Sequence, residues 1–319
     1  MSRLLAGDAG EREIIRRLAA LLPPAPPGVV GVGDDCAVVP PPPQGHRLVL
    51  KSDPVIEGRH FLPGESPRRV GHKALGRVLS DFAAMGATPH WALVNLVARP
   101  DVAVSDLEDI YRGMVDLAAR HGVLLVGGDV SSGETLHLHV FGAGSAPDGG
   151  VLLRGGARAG DFLYVTGELG GSLIGRHLDF EPRLAEGQWL ARRGGVTSMC
   201  DVSDGVATDA RHLADASGLG VELQAGLIPI SPAARASAGG TPLEHALGDG
   251  EDFELLFTVT PEAAATLDTD WAAAFSLPLT RIGVMTATPG LVLVSPDGRP
   301  SDCPAGGFEH FRSSAREQS

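Results

Sequence analysis

Aspartates follow short apolar, β-branched runs at several places in this chain, among glycines and other turn-forming residues. In the first of these places, the segment from Gly31 to Val39, Asp34 and Asp35 stand between two runs that are typical of strands. Adjacent carboxylates repel one another unless a cation lies among them. We therefore interpret this segment as a metal-binding turn and expect the fold to bring further acidic turns to it. Those turns contain Asp53, Asp129, Asp201 and Asp204.

The length of the chain favours two domains. Its 319 residues exceed what most single hydrophobic cores contain, since roughly 100–200 residues per domain is usual. The loop from Ser145 to Gly150 is rich in glycine, proline and aspartate, as domain boundaries often are. We predict an N-terminal domain over residues 1–148 and a C-terminal domain over residues 149–319.

Charge and cysteine content argue against several kinds of partner. A formal net charge of −13 is unsuited to nucleic acid or anionic membranes, which bind clustered Lys and Arg. Cys36, Cys200 and Cys303 form no Cys-x-x-Cys pair, so neither a zinc site nor a disulfide framework is indicated. Met1 to Gly10 lacks the pattern of an export signal, and no apolar stretch reaches the ~18 residues of a membrane span. We predict a cytoplasmic protein that binds neither nucleic acid nor membrane.

Two of the acidic positions are predicted to lie at helix ends. Apolar residues recur at helical spacing from Pro67 to Met85, which places Asp81 in the last turns of a helix. A carboxylate there opposes the helix dipole unless a cation or donor compensates it, so Asp81 is a functional candidate. A later helix begins after Ser203 and Asp204, and N-capping alone would explain one of them. It would not explain Asp201.

The chemistry that remains is carboxylate chemistry. The chain lacks the Gly-x-x-x-x-Gly-Lys phosphate loop, His-Glu-x-x-His and Gly-x-Ser-x-Gly. Magnesium prefers oxygen ligands, keeps several waters and is completed by substrate phosphates. A solvated loop explains Asp249, Glu251 and Asp252 as well as a binding site does. The sequence therefore predicts a magnesium site for phosphate ligands, built from Asp34, Asp35, Asp53, Asp81, Asp129, Asp201 and Asp204.

Seven short motifs occur in order along the chain. They are Gly-Val-Gly-Asp-Asp-Cys-Ala from Gly31, Ser-Asp from Ser52 with Gly-Arg-His-Phe from Gly58, Ser-Asp-Phe-Ala-Ala-Met-Gly-Ala from Ser80, Gly-Gly-Asp from Gly127, Asp-Val-Ser-Asp-Gly from Asp201, Gly-Glu-Asp-Phe-Glu-Leu from Gly250 and Gly-Phe-Glu-His-Phe from Gly307. In this order and spacing the chain resembles the thiamine-monophosphate kinase family. The resemblance extends over nearly the whole chain.

The resemblance implies a fold and a reaction. The fold is that of the aminoimidazole-ribonucleotide synthetase-like superfamily, with an N-terminal α/β domain whose sheet pairs across a homodimer and a C-terminal α+β domain. The reaction is the direct, in-line transfer of the γ-phosphoryl group of ATP to thiamine monophosphate, which yields thiamine diphosphate. Several Mg²⁺ ions would assist it.

The resemblance also implies roles for individual residues. The magnesium ions would be held by Asp35, Ser52, Asp53, Asp81, Asp129, Asp201 and Asp204, of which Asp53, Asp81, Asp129 and Asp204 are the candidate catalytic residues. ATP would contact Tyr111, Gly128, Asp129, Arg154 and Ser203. Thiamine monophosphate would contact His60, Glu251 and Phe308. Asp34 would shape the first turn.

One departure from the family pattern leaves alternatives open. Lys51 stands where the family commonly has Ser or Thr, and it places a cation beside the predicted metal ligands. This favours, as an alternative, a non-catalytic protein that binds a nucleotide or a thiamine phosphate. Other ATP-using members of the superfamily are a further alternative. Selenophosphate synthetase and the hydrogenase-maturation dehydratase need cysteines where this chain has none.

Overall fold

The computed structural model describes residues 4–32 and 36–303, and its contacts divide the chain into two compact units. Unit 1 comprises Met1–Val151 and Leu178–Arg192, and unit 2 comprises Leu152–His177 and Arg193–Ser319. The first junction lies close to the predicted boundary after residue 148. The sequence did not indicate that Leu178–Arg192 returns to unit 1. Asp34, Asp35 and Phe308 lie outside the described residues.

Unit 1 combines helices with a four-stranded sheet in the order β1-β4-β2-β3. Neighbouring strands are antiparallel except for the parallel pair β2 and β3, and β1 and β3 are the two edges. The elements of unit 1 are α1 (Ala6–Ala9), α2 (Glu11–Ala19), β1 (His46–Ile56), α3 (Pro67–Ala84), β2 (Thr88–Ala98), α4 (Val104–His121), β3 (Leu124–Ser132), β4 (His137–Pro147) and α5 (Leu184–Arg193), whose last residue belongs to unit 2.

Helix α3 covers one face of this sheet. It begins with Pro67 at its first turn, and the apolar side chains of its inner face are about 1% exposed at Val78 and Phe82. The burial pattern of strand β1 agrees with this packing. Val49 and Val55 face α3 and are buried, while Leu50, on the other face, is 69% exposed. The sheet is therefore packed on the α3 side and leaves an apolar face on the other.

The strands of unit 1 run further than the sequence predicted. Asp53 and Asp129 were expected in turns, but Asp53 lies inside β1, opposite Val140, and Asp129 lies inside β3, opposite Asn95. Aspartate and glycine are disfavoured in strands, yet pairing with neighbouring strands overrides that preference here. Their carboxylates are consequently held on extended, hydrogen-bonded backbone.

Unit 2 is a mixed α+β structure around a seven-stranded sheet in the order β11-β10-β7-β9-β5-β8-β6. One cluster of buried apolar side chains contains residues of this sheet and of helix α6, and other buried side chains of unit 2, such as Phe257 and Trp271, lie outside it. The elements are β5 (Phe162–Thr166), β6 (Val196–Asp201), α6 (Val206–Ser217), β7 (Gly220–Gln224), α7 (Pro232–Ala236), α8 (Pro242–Gly248), β8 (Leu255–Val259), α9 (Pro261–Ala274), β9 (Leu279–Thr286), β10 (Gly290–Val294) and β11 (Pro300–Asp302), with short 3₁₀ turns between some of them. In the described part of the chain, no helix has both the length and the apolar character that crossing a bilayer requires.

Candidate functional site

Lys51, Asp53 and Asp81 form a charged group on the α3 side of unit 1. Lys51 and Asp53 are two residues apart on β1, so their side chains share one sheet face. The Lys51 Nζ lies 2.9 Å from Asp81 Oδ2 and 3.4 Å from Asp53 Oδ2. All three side chains are partly exposed. Strand and helix thus bring two predicted metal ligands to one point, where an ammonium group binds both.

The same group explains how Asp81 is tolerated near the end of α3. A carboxylate in the last turn of a helix opposes its dipole, and the Lys51 ammonium supplies the compensating cation. Ser52 does not join this group through its hydroxyl, because alternation along β1 places its side chain on the opposite face. Its role as a metal ligand stays a prediction.

Asp129 lies far from Asp53 within unit 1. Across the sheet, Asp53 is in register with Val140, Val140 with Val94, and Val94 with Gly128. This row crosses three strand spacings of about 4.8 Å each. Asp53 and Asp129 therefore lie on opposite edge strands and cannot share one cation within a single copy of unit 1.

A small apolar cavity adjoins Asp129 in unit 1. Tyr111 of α4, with Gly128 and Asp129 of β3, contributes to its lining. Tyr111 is 7% exposed, and burial raises the pKa of its phenol, which keeps it protonated as a hydrogen-bond donor. Three residues predicted to contact ATP are thus together. The other lining residues are Ile15, Leu18, Ala19, Leu22, Val32, Leu125, Gly127 and Val130.

The backbone at Gly128 requires glycine. Its φ is +148°, and a Cβ placed there would lie 1.9 Å from the carbonyl oxygen of Val94 on β2. Strand β3 can therefore approach β2 this closely only without a side chain at this position. The glycine pair before Asp129 is a structural requirement of the sheet as well as part of a motif.

His60 lies in the loop that follows β1. Its side chain is 8% exposed, and its Nδ1 accepts a hydrogen bond from the Ile56 amide at 3.0 Å. The buried Lys73 donates to the His60 carbonyl oxygen. These contacts give the imidazole a structural role in shaping the loop, and its predicted contact with thiamine monophosphate stays a prediction.

In unit 2, a buried carboxylate holds the turn that carries Ser203 and Asp204. Oδ2 of Asp209, on α6, accepts hydrogen bonds from both of these backbone amides at 3.0 Å. The alternative explanation of the turn by N-capping is wrong, because Gly205 is the N-cap of α6 and no side chain caps it. Asp201, 4% exposed, ends β6 directly before this turn.

Burial raises the pKa of Asp209 to about 6. Its Oδ1 faces Nδ1 of His212 at 3.4 Å, an ion-pair distance rather than that of a good hydrogen bond. Oxygen or nitrogen atoms of Asp204, Asp209 and His212 lie within 4.8 Å of one another. Helix α6 therefore adds two ionisable groups to the predicted Asp201 to Asp204 motif.

The segment that contains Glu251 packs directly on the same turn. The Glu251 amide donates to the Ser203 carbonyl oxygen and the Phe253 amide to that of Val202, both at 2.8 Å. Glu251 and Phe253 have φ of +65° and +53°, a conformation that non-glycine residues adopt at a cost. The Glu251 carboxylate lies 2.9 Å from Nδ1 of His177. Two of the sequence motifs are thus joined by backbone hydrogen bonds.

In the glycine-rich segment from Gly167 to Gly171, the amides of Gly167, Leu169, Gly170 and Gly171 donate within the protein and are not available to a phosphate. The Gly170 amide donates to Asp252 and the Gly171 amide to Asp249, each at 2.8 Å. Asp252 is 2% exposed, burial raises its pKa to about 6, and it also binds Arg176 at 2.7 Å. The interpretation of Asp252 as a solvated loop acid is therefore wrong.

Arg154 is exposed in unit 2, beside the edge strand β6, where the amide of Met199 donates to the carbonyl oxygen of the preceding Leu153. Its guanidinium acts electrostatically on Cys200 and His212, which places it near the acidic turn. The sequence indicated no role for Asp209 or His212, and it left the role of Asp252 open. Only the position of Asp209, five residues after Asp204 on a helix, could have indicated that it reaches back to the turn.

Comparison with known proteins finds similar sequences and domains along most of this chain. Residues 33–146 match the AIR synthase related protein, N-terminal domain, and residues 158–295 match the corresponding C-terminal domain. A thiamine-monophosphate kinase of Rhodopirellula baltica is 41% identical over 83% of this chain and 86% of its own length.

Two solved structures are also similar. The thiamine-monophosphate kinase of Stenotrophomonas maltophilia superposes with a TM-score of 0.76, at 30% identity over 90% of this chain and 95% of that chain. AaThiL complexed with AMPPCP and TMP gives 0.74, at 29% identity over 98% and 99%. These likenesses confirm the predicted two-domain fold. The chain therefore belongs to the AIR synthase related family and, within it, to the thiamine-monophosphate kinases.

Proposed function

We propose that this protein transfers the γ-phosphoryl group of ATP to thiamine monophosphate and so forms thiamine diphosphate. The observation that carries the proposal is the pairing of Asp53 and Asp81 around one cationic group, in a chain related to kinases of this substrate. A relative of nearly equal length was solved with an ATP analogue and TMP bound. Its substrates are those we assign here.

The donor groups suit magnesium. The carboxylates of Asp53 and Asp81 are hard oxygen ligands, and their binding of an ammonium group supports a strong local preference for positive charge. We propose Asp129 of unit 1 and Asp201 and Asp204 of unit 2 as further ligands, together with Asp35 and Ser52. When bound, magnesium would neutralise the phosphate oxygens of both substrates.

The protein's own residues then have positioning tasks. Both reacting groups are phosphates, so the acceptor oxygen needs little help from a general base, and alignment of two anions limits the rate. The apolar cavity beside Gly128 and Tyr111 is suited to the adenine of ATP, with Arg154 and Ser203 as further contacts. His60, Glu251 and Phe308 are our candidates for contacts with thiamine monophosphate. Because ATP is the donor, we infer a cytoplasmic location.

The direct test is formation of thiamine diphosphate by the full-length chain. The protein is incubated with ATP, MgCl₂ and thiamine monophosphate, and both products are separated by chromatography. We expect equal amounts of ADP and thiamine diphosphate, no product with thiamine as acceptor, and none after chelation of Mg²⁺. Tight binding of both substrates without product would instead favour the non-catalytic binding protein.

We also propose that the protein is a homodimer. One face of the unit 1 sheet exposes Leu48 (56%), Leu50 (69%), Leu93 (38%) and Phe141 (40%). A contiguous apolar patch of this kind usually marks a surface that another protein chain covers. Both edges of this sheet, β1 and β3, are open to further pairing in the described chain. Pairing of each edge with the opposite edge of a second copy would close a barrel and bury this face.

Such a dimer would also solve the separation of Asp53 and Asp129. These residues lie on the two edge strands that the second copy would pair, so the strand that carries Asp53 in one copy would lie beside the strand that carries Asp129 in the other. The proposed site then contains residues of two chains. We expect Leu50→Asp to turn a dimer into a monomer with less than a tenth of the activity, because a charge cannot be buried there.

The oligomeric state is measured by sedimentation velocity at several protein concentrations. Leu227→Asp is the matched control, since Leu227 is 52% exposed and belongs to unit 2 rather than to the sheet of unit 1; this variant should remain dimeric. A wild-type chain that is monomeric and fully active at assay concentration would refute the dimer.

A further inference from the structure

Arginine greatly outnumbers lysine in this chain. Of 26 Lys and Arg residues, two are lysines, Lys51 and Lys73. Lys73 is fully buried and donates to a backbone carbonyl. Lys51 is the one placed between the acids of the proposed metal centre. Apart from the buried Lys73, Lys51 is thus the one lysine in a chain whose other 24 Lys and Arg positions are all arginine.

The shape of the ammonium group accounts for that choice. Arginine presents a planar fork that suits one carboxylate in a bidentate pair, whereas an ammonium is a compact point charge with three donors. Lys51 Nζ contacts Asp53 and Asp81 from two different elements, at 3.4 and 2.9 Å. In this it resembles a small metal ion more than an arginine does.

Charge counting shows what this does to cation binding. The two carboxylates carry a formal charge of −2, and the ammonium reduces it to −1. A divalent ion that bound the same pair would have to displace Lys51 or lie beside a positive charge a few ångströms away. Lys51 also lies opposite Gly142 of β4, over which the α3 side chains Val78 and Phe82 pack.

We propose that the Lys51 ammonium is a built-in counter-cation that replaces one divalent ion at the Asp53 and Asp81 pair. The proposal rests on the proposed function only in assigning these two acids to a metal centre. Its effect is that this protein binds one fewer divalent ion there, or binds it more weakly, than the carboxylates alone would. Part of the charge screening between the phosphates is then permanent and independent of magnesium concentration.

The test counts cations without turnover. Mn²⁺ binding to the full-length chain is measured by electron paramagnetic resonance of the free ion, in the absence of nucleotide. We compare wild type with Lys51→Met, which keeps the length but loses the charge, and with Lys51→Ser. Each neutral variant should gain one tight Mn²⁺ ion or bind Mn²⁺ at least tenfold more tightly.

Three controls make the result specific. Arg47→Met removes a positive charge from the same strand, where Arg47 pairs with Asp148 at 3.2 Å, and should behave like wild type. Lys51→Arg keeps the charge, although its planar group fits the two acids less well, and it should gain no additional Mn²⁺ ion. The double change Lys51→Met with Asp81→Asn should lose the gained ion, which locates it.

The outcomes separate this proposal from the kinase assignment. Unchanged Mn²⁺ number and affinity in folded Lys51→Met and Lys51→Ser would overturn it, as would an equal gain in Lys51→Arg. Folding is checked by circular dichroism, and either neutral variant alone suffices for the test. An absence of thiamine diphosphate formation would refute the function and leave the Mn²⁺ comparison valid.

Discussion

Asp53→Asn should lower kcat/KM for thiamine diphosphate formation by about 10²–10³-fold with the fold intact. A neutral amide cannot replace a carboxylate as a magnesium ligand, and the loss of one preorganised charge at a transferring phosphate costs on the order of 10²–10³ in rate. The change also removes one partner of Lys51, 3.4 Å away. The measurement is steady-state kinetics at saturating Mg²⁺, with circular dichroism to confirm folding.

The control is Asp148→Asn, which neutralises an exposed acid that pairs with Arg47 at 3.2 Å. It should retain wild-type kinetics. Near-normal activity of Asp53→Asn would remove this residue, and with it the Asp53 and Asp81 pair, from the assigned centre.

Mixing two inactive variants tests whether the site contains two chains. If Asp53 of one copy works with Asp129 of another, a dimer of one Asp53→Asn chain and one Asp129→Asn chain has one doubly altered site and one unaltered site. Random exchange of subunits should then restore about a quarter of wild-type activity. If each chain carries its own complete site, mixing restores none.

Gly128→Ala should lower the free energy of unfolding by about 3 kcal/mol or more. The added Cβ would lie 1.9 Å from the Val94 carbonyl oxygen, so β3 must separate from the fully buried centre of β2. The positive φ adds further strain. Urea denaturation, followed by tryptophan fluorescence and circular dichroism, measures the change.

Gly149→Ala separates the effect of the steric clash from the effect of the positive φ. Gly149 also has positive φ, +77°, but no atom lies within 4 Å of the Cβ position. It should lose about 1 kcal/mol through backbone strain alone. Equal stability of the two variants would mean that β3 can move away from β2 without cost.

The sequence predicted the parts of the fold that follow simple periodicity. Helix α3 was expected from Pro67 to Met85 and runs over Pro67–Ala84, because its apolar spacing and its terminal signals agree. The strands that carry Asp53 and Asp129 were predicted too short. Aspartate, glycine and proline normally end strands, and only pairing with β4 and β2 shows that they continue here.

The site was predicted as a set of residue types rather than as an arrangement. The ordered motifs identified Asp81 and Asp204, but a buried acid such as Asp209 or Asp252 cannot be told from a solvated one without tertiary structure. The same limit concealed the separation of Asp53 from Asp129, since the order of motifs along the chain does not show that two residues lie on opposite edge strands of a sheet. The ion pair of Lys51 was equally invisible.

In unit 2, buried or partly buried carboxylates accept hydrogen bonds from backbone amides that could otherwise bind a phosphate. Amides of Ser203, Asp204, Gly170 and Gly171 are all taken by internal carboxylates, which act as resident anions in place of a phosphate. These main-chain donors therefore cannot attract a free nucleotide. Under the proposed function, phosphate groups would be held by magnesium and by cationic side chains rather than by these amides, so nucleotide and metal affinities should rise and fall together.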